Sequence, residues 1–481
     1  MEQLTPHSSL LTPYQDKHCI VVGLGDTGLA TARWLAGKGA RVTVADSRKT
    51  PPNLDNLRAD LPQVELRLGA FNVDTFADAE MLVTSPGVPL ATPEVAAAIA
   101  QGIPVVGDVE LLAQALVGGP DQSRGKVIAI TGSNGKSTVT TMVAQMCEAA
   151  GFKTVTAGNI GLPVLAALAD WEARGEWPDF WVLELSSFQL ETTSSLMPAA
   201  ATVLNVSEDH LDRYAGMNEY AATKAGIFAG LGVQVLNRED GYCRGMARPG
   251  RDVVWFGADT PRNGSEYGLV EIDGDFSLRC GDFELIKASE LPVAGLHNAV
   301  NALASIALCR AAGLPTAPLL AALRAFKGLP HRVELVAEVN GVAYYDDSKG
   351  TNVGATEAAL KGMTRPVVLI AGGDGKGQDF SPLLEACERI CRAVLLIGRD
   401  GPALADVLNE AHSSFLPDDD DNYLPVMQLP TLEMAVSVAS NLAEPGDVVL
   451  LSPACASLDM FRNYHHRAEV FIAAVKGLEQ H

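Results

Sequence analysis

Positive charge is scarce in this chain of 481 residues: 36 Lys and Arg stand against 58 Asp and Glu, a formal net charge of -22. Such a surface repels phosphate backbones, which excludes a general nucleic-acid coat protein. Anionic ligands must therefore be held by local clusters of cations, by backbone N–H groups or by metal ions. No run of about 20 apolar residues occurs, so no membrane span is expected. Met1 to Lys17 has no basic segment followed by an apolar one; no secretory signal is read there, and a cytoplasmic location is expected. Cysteine is sparse as well, with eight residues scattered along the chain, of which only Cys387 and Cys391 lie close together, at helical spacing. A zinc site would need a second ligand pair, and none exists, so reduced buried thiols are expected. There is no repeat of solenoid period and no low-complexity tract.

What is present is globular: 47% hydrophobic and 20% charged residues. At roughly 150 residues per domain, the length suggests about three domains. Short β-branched runs alternate with Ala/Leu-rich helical runs, which predicts parallel sheets with helices on their faces. Strands are expected at His18–Val22, Arg41–Ala45 and Met81–Thr84, with a helix from about Leu29 to Lys38. After a loop at Gly118–Gly125, a second unit opens with the strand Lys126–Ile130. It turns strand-rich over Val253 to Ile286 and carries a helix over Asn298–Ala312. A third unit follows Gly328, with strands at Val342–Tyr345, Pro366–Ile370, Ala393–Ile397 and Val448–Leu451. The expected division is 1–108, 109–328 and 329–481. Pro417–Asn422 is an acidic run; it lacks the Gly and distal Glu of an EF-hand loop and reads as a solvated loop.

The strongest local signal is Thr131-Gly-Ser-Asn-Gly-Lys-Ser-Thr138, between a strand and a helix expected to start near Val139. Glycines let several N–H groups point at one anion, and the helix N-terminus adds partial positive charge. Lys136 adds a full charge, and Ser137 or Thr138 can offer a hydroxyl to Mg²⁺. Only two residues separate Gly132 from Gly135, where the standard phosphate loop has four between its glycines. Gly23-Leu-Gly25-Asp-Thr-Gly28 fits G-x-G-x-x-G, with Asp46 ending the next strand. Alone it marks a tight βα turn or a nucleotide-like ligand. A dehydrogenase reading, with Tyr220 and Lys224 as a Y-x-x-x-K pair, leaves Lys136 unexplained. Glu184, set just past the apolar run Trp181–Leu183, and His210, beyond Thr202–Leu204, should lie on the same sheet edge as the phosphate loop. Glu208, Asp209 and Asp212 read as caps or surface carboxylates.

Taken in order, Gly132–Thr138, Glu184-Leu-Ser-Ser-Phe-Gln-Leu-Glu191, Asn205–Tyr214, Gly295-Leu-His-Asn-Ala-Val-Asn301, Leu329-Pro-His-Arg332 and Asp347-Ser-Lys-Gly-Thr-Asn352 resemble the Mur ligases. These are ATP-dependent amide ligases of peptidoglycan precursor synthesis. Gly23–Gly28, Thr84–Val88, Ala157–Gly161, Gly372–Lys376 and Leu451–Leu458 resemble the member that joins D-glutamate to UDP-N-acetylmuramoyl-L-alanine. The resemblance covers nearly the whole chain. It implies an α/β protein with a Rossmann-like N-terminal domain for the UDP part, a central P-loop-like ATPase and a mobile, Rossmann-like C-terminal domain.

It also implies residue roles. Gly132, Ser133, Asn134, Gly135, Lys136, Ser137 and Thr138 would hold ATP, with Lys136 on the β/γ phosphates and with Asn301, Arg332 and Asp347 on adenosine and phosphates. Ser137 and Glu184 would bind one Mg²⁺ and His210 a second, with Lys136, Glu184, His210 and Lys224 as the catalytic group. Lys224 is expected as a CO₂-derived carbamate, because an ammonium beside two Mg²⁺ ions has the wrong sign for a ligand. Thr27, Asp46, Ser47 and Arg48 would face the uracil end and Asn159, Ser186 and Gln189 the muramoyl-alanine end, with Ser85 and Gly87 also binding the UDP substrate. Lys349, Thr351, Lys376, Ser457 and Leu458, with Tyr464 nearby, would take D-glutamate. A monomer without nucleic-acid partners is expected. A folylpolyglutamate-synthase-like ligase and a non-enzymatic nucleotide-binding regulator stand as alternatives. The first gives no reason for the G-x-G-x-x-G domain, and the second none for Lys136, Glu184, His210, Lys224, Lys349 and Lys376 together.

Overall fold

The computed structural model describes residues 13–117, 124–210, 213–293, 295–415 and 424–478. The acidic run at Asp418–Asp421, most of the Gly118–Gly125 loop and Asp212 lie outside them. Three sheets follow one another along the chain, each a mixed α/β layer.

The first contains β1 (His18–Val22), β2 (Arg41–Asp46), β3 (Glu65–Leu68), β4 (Met81–Thr84) and β5 (Val105–Val106), in the order β3-β2-β1-β4-β5. All its pairings are parallel. The order reverses between β1 and β4, the place where open α/β sheets leave a crevice at the strand C-termini.

The second contains β6 (Lys126–Thr131), β7 (Thr154–Gly158), β8 (Phe180–Glu184), β9 (Ala200–Val203), β10 (Val233–Asn237), β11 (Val253–Phe256), β12 (Tyr267–Ile272), β13 (Asp275–Cys280) and β14 (Phe283–Lys287). Its order is β14-β13-β12-β11-β10-β9-β6-β8-β7, and only the last two hairpin pairings are antiparallel. The third contains β15 (Glu334–Val339), β16 (Val342–Asp346), β17 (Val367–Gly372), β18 (Cys391–Ile397), β19 (Val426–Gln428) and β20 (Val448–Leu451), in the order β15-β16-β20-β17-β18-β19.

The central strands are buried along their whole length, as in β1, β8 and β17, because helices cover both faces. Continuous apolar runs are therefore what the sequence offers there. Helices start earlier than apolar periodicity suggests. The first begins at Asp26, directly after Gly25, and the phosphate-loop helix at Lys136, directly after Gly135. In both cases a glycine occupies the N-cap, so polar residues form the first turn. Cys391 does not share a helix with Cys387: that helix ends at Ile390, and Cys391 opens β18.

The first two sheets share one apolar core, which runs from Cys19, Val21 and Trp34 through Leu111 and Leu165 to Trp181 and Leu183. The third sheet keeps separate cores on its two faces. Its contacts with the phosphate loop are polar ones: Arg332 Nη2 donates to Ser137 Oγ at 2.7 Å and Asn352 Nδ2 to Asn134 Oδ1 at 3.1 Å.

Candidate active site

The phosphate loop closes around its own carbonyls. Gly135 adopts φ +81°, and a Cβ there would lie 2.7 Å from Asn301 Oδ1, so both backbone hand and space require glycine. Asn205 Oδ1 accepts from Asn134 N at 2.8 Å, and Ser133 Oγ donates to Ser207 O at 2.9 Å, which ties the loop to the segment after β9. Lys136 Nζ donates to Gly132 O and Ser133 O, each at 2.8 Å. Lys224 Nζ donates to the same Gly132 O at 2.9 Å and lies 4.5 Å from the Tyr220 ring centre. Two amines thus converge on one carbonyl. Burial lowers the Lys224 pKa well below the ordinary lysine range, and the charge of Lys136 adds to it. Lys136 is lowered by burial as well, against the pull of Glu184 and Asp209.

Glu184 ends β8 and is 1% exposed. Its Oε1 accepts from Asn159 Nδ2 at 2.7 Å, while Oε2 is buried with no hydrogen-bond partner among the described residues. An unpaired buried carboxylate oxygen is costly unless a cation meets it. Ser137, Asp209 and His210 line the same cavity, so the hard-oxygen chemistry fits Mg²⁺. Asp209, read from the sequence as a surface carboxylate, lines this cavity instead, next to His210 with its left-handed backbone (φ 56°).

That cavity, of about 710 Å³, brings together Ser133, Asn134, Gly135, Lys136, Ser137, Glu184, Ser186, His210 and Lys224 from the central unit with Arg332, Lys349, Thr351, Lys376 and Tyr464 from the third. Lys349 Nζ lies 4.0 Å from the Tyr464 ring centre. Burial, with Arg332 and Lys136 adding to it, brings Lys349 down to about 8. Ser457, which is buried, and Leu458, 72% exposed, stand outside the lining.

A second cavity, of about 280 Å³, adjoins it and shares Asn134, Gly135, Arg332 and Lys349. Thr138, Asn301 and Asp347 line it, and Phe256, Val293 and Phe326 give it apolar walls suited to a flat heterocycle. Burial raises Asp347 to about 7, although Ser452 and Arg332 pull the other way. Asn237, His297 and Asn298 also line it. Sequence reasoning passed over all three, although His297 and Asn298 stand in the same motif as Asn301.

A third cavity, of about 490 Å³, sits at the β1/β4 reversal and contains Thr27, Asp46, Ser47, Arg48, Ser85, Gly87, Asn159 and Gln189. Asp46 accepts from Leu24 N at 2.7 Å and from Arg48 N at 2.9 Å, and pairs with the Arg48 guanidinium at 2.6 Å. Burial raises the Asp46 pKa, but these bonds outweigh it and leave the carboxyl below its ordinary value. Ser186 faces the large cavity instead, where it caps the short helix Ser187–Leu190 in a capping box with Gln189. Asn159 lines both the first-sheet cavity and the large one.

One arrangement was invisible to sequence reasoning. Arg332 is flanked by His331 (φ 62°) and Val333 (φ 48°), and a β-branched residue with positive φ is a genuine outlier. The turn is braced by Glu334, which accepts from His331 N at 2.8 Å, and by Asp346 Oδ2, 2.7 Å from His331 Nδ1. These three residues are close enough to hold a cation. Their atoms are instead engaged with one another, holding the backbone that aims Arg332 at Ser137.

Family models match three stretches: the MurD-like Mur ligase N-terminal domain over residues 17–107, the Mur ligase middle domain over 130–309 and the Mur ligase glutamate ligase domain over 331–455. The chain is 56% identical to the UDP-N-acetylmuramoylalanine–D-glutamate ligase of Methylobacillus flagellatus, over 97% of this chain and 98% of that protein. It belongs to the Mur ligase family. The enzyme of the same name from Chromobacterium violaceum is also 56% identical, over 97% of this chain and 99% of its own. Among solved structures, MurF from Acinetobacter baumannii superposes with a TM-score of 0.60 at 16% identity, covering 98% of this chain and 92% of that one. UDP-N-acetylmuramate–alanine ligase MurC from Thermotoga maritima gives 0.56 at 19% identity, covering 96% and 99%. These two likenesses concern the Mur ligase fold, three α/β layers in series.

Proposed function

We propose that this Mur ligase joins D-glutamate to UDP-N-acetylmuramoyl-L-alanine at the expense of ATP, releasing ADP and phosphate, in peptidoglycan precursor synthesis in the cytoplasm. One observation carries the reading. Three neighbouring cavities share lining residues: a pocket with apolar walls, a cation-rich chamber that has Arg332 and Lys349 in common with it, and a polar cleft that has Asn159 in common with the chamber. They suit adenosine, the reacting groups and the uridine end respectively. The division into 1–108, 109–328 and 329–481 is proposed on the same basis, one part for each ligand.

The chemistry follows from the problem a carboxylate poses. Its charge repels amines, so it must first become an acyl phosphate. The alanyl carboxylate oxygen attacks the γ-phosphorus, the bond from that phosphorus to the bridging oxygen of ADP breaks, and ADP leaves. The amine of D-glutamate then attacks the acyl carbon, and the tetrahedral adduct collapses with loss of phosphate and of the amine proton. Catalysis is positioning and charge neutralisation.

Lys136 and the loop N–H groups take the β/γ phosphates, and Arg332 the transferring group. Glu184, Ser137, His210 and a carbamylated Lys224 would hold Mg²⁺, which when bound neutralises phosphate charge. The depressed pKa of Lys224 supports carbamylation, since only the neutral amine adds CO₂: an N–C bond forms, one proton leaves the nitrogen, and a neutral amine becomes an anionic carbamate. Lys349 and Lys376, which line the chamber from the third unit, supply the fixed cations for the two carboxylates of D-glutamate, with Thr351 and Tyr464 beside them. Ser457 and Leu458 would join that pocket only through a local shift.

Phosphate release with ATP and UDP-N-acetylmuramoyl-L-alanine, varying the added amino acid, tests the reading. D-glutamate alone should support turnover. Equal release with L-glutamate or D-alanine would refute the specificity. Lys376→Ala should raise the KM for D-glutamate about a hundredfold and leave that for ATP within about twofold, as expected for a charged contact made only to the amino acid.

A further inference from the structure

Arg213 stands three residues beyond His210 and is bound on several sides. Its Nε and Nη2 donate to the two oxygens of Glu191 at 3.0 and 2.6 Å. Its Nη1 donates to Pro86 O at 2.9 Å, across the junction between the first and second sheets. Its guanidinium carbon lies 4.2 Å from the centre of the Phe188 ring. The Phe188 ring meets the His210 imidazole at 4.7 Å between centres, and the Tyr214 hydroxyl donates to Glu191 Oε1 at 2.7 Å. The side chains of Arg213 and Glu191 are only 12% and 14% exposed.

The two ends of this network belong to different sites. Pro86 sits in the turn that lines the first-sheet cavity with Ser85 and Gly87, whereas Phe188 and His210 line the reaction chamber. Only a planar fork can pair with a carboxylate through two N–H groups, reach a carbonyl with another and stack on a ring; lysine cannot do all three. Breaking a largely buried pair also leaves a charge without its partner, so the network moves as a unit.

We propose that Arg213 is a positioning residue that couples the nucleotide-sugar cleft to the metal-binding wall of the reaction chamber. Ordering of the Ser85–Gly87 turn by the nucleotide-sugar steadies Arg213, and through Glu191 and Phe188 it fixes the pose of His210. Coupling of this kind is reciprocal: a ligand at either site tightens the other by the same factor. The inference rests on the ligase reading, which supplies the two ligands.

The test is the dissociation constant of UDP-N-acetylmuramoyl-L-alanine by calorimetry, with and without Mg²⁺ and ADP, so that no turnover occurs. In the wild type, Mg²⁺ and ADP should tighten it by about fivefold or more, the lower range of ordinary coupling between sites. Arg213→Lys and Glu191→Gln should each bring that factor close to one in a protein that still folds, Glu191→Gln with a lower thermal midpoint because Arg213 is left without its partner. A second measurement needs no variant. In hydrogen exchange on the wild type, the nucleotide-sugar alone should protect Phe188–Glu191 and Arg213–Tyr214 along with Ser85–Val88. A folded variant that keeps the full coupling factor, a wild type with no coupling, or protection confined to Ser85–Val88 overturns the inference. Absence of any nucleotide-sugar binding to the wild type would instead overturn the ligase reading.

Discussion

The chain contains two glycine turns, Gly23–Gly28 after β1 and Gly132–Gly135 after β6, and they differ in backbone hand at the N-cap, extended at Gly25 and left-handed at Gly135, and in what surrounds them. Each leads directly into a helix N-terminus. Around the first, Asp26 and Asp46 are acidic, Asp46 occupies the Leu24 N–H, and Arg48 is already paired with Asp46. Around the second, Lys136, Lys224 and Arg332 gather beside the carboxylates of Glu184 and Asp209. A helix N-terminus after a glycine is common to both, and the side chains choose the ligand. The first turn suits a neutral polar group offering its own donors and acceptors, the second a polyphosphate. A glycine pattern alone therefore says little about what is bound.

The sharpest way to break the contrast is Lys136→Ala. Turnover should fall by about a thousandfold or more, the range seen when a charge on a transferring phosphoryl group is removed. Nucleotide-sugar binding, measured by calorimetry, should stay within about twofold. Equal loss at both sites would mean that the two turns are not separate. Next in size is Lys224→Ala, with a fall of about a hundredfold that acetate should partly restore, as expected where a missing ligand carboxylate can be supplied from solution. Failure of rescue over a wide range of acetate would argue that the amine itself is the working form.

The first turn can be broken sterically. A Cβ at Gly28 would overlap the Gly23 carbonyl oxygen. Gly28→Ala should cost about 1–3 kcal/mol of stability by overpacking and raise the KM for the nucleotide-sugar, with the KM for ATP unchanged. Denaturant titration and steady-state kinetics check the two halves.

The smallest effect concerns pH. Lys349 titrates near 8 because it is buried beside Arg332 and Lys136. Its cationic form is full below that value and is lost as the pH rises through it. The kcat/KM for D-glutamate should therefore fall above pH 8, and Lys349→Arg, charged throughout, should flatten the profile.

Much of this was legible because buried parallel strands are written as short, largely apolar runs rich in Val, Ile and Leu. His18–Val22, Met81–Thr84 and Val448–Leu451 have the ends their sequence suggests. Helix starts were less legible, since Gly25 and Gly135 place polar residues in the first turn, ahead of any apolar stripe. The edge strand Glu334–Val339 is largely exposed, with only Val339 buried, and gives only a weak signal. In the site, lysines and glycines in compact motifs were readable as chemistry. The supports were not: Asp346 reaches His331 across 15 residues, and Arg213 reaches Pro86 across 127. The first pair forms when β15 and β16 join in one sheet, and the second only once the first two sheets pack together. The exposure of Leu458 was equally beyond reach, because the residue follows a buried strand and an apolar turn.

Formation of an acyl phosphate in the chamber between the two turns is the central claim, and isotope transfer tests it most directly. UDP-N-acetylmuramoyl-L-alanine carrying heavy oxygen in its alanyl carboxylate should be turned over with ATP and D-glutamate, and the released phosphate examined by mass spectrometry or phosphorus NMR. One labelled oxygen should pass into each phosphate, because the carboxylate oxygen that attacks phosphorus leaves with it. Phosphate free of label, with the amide product formed, would contradict the account.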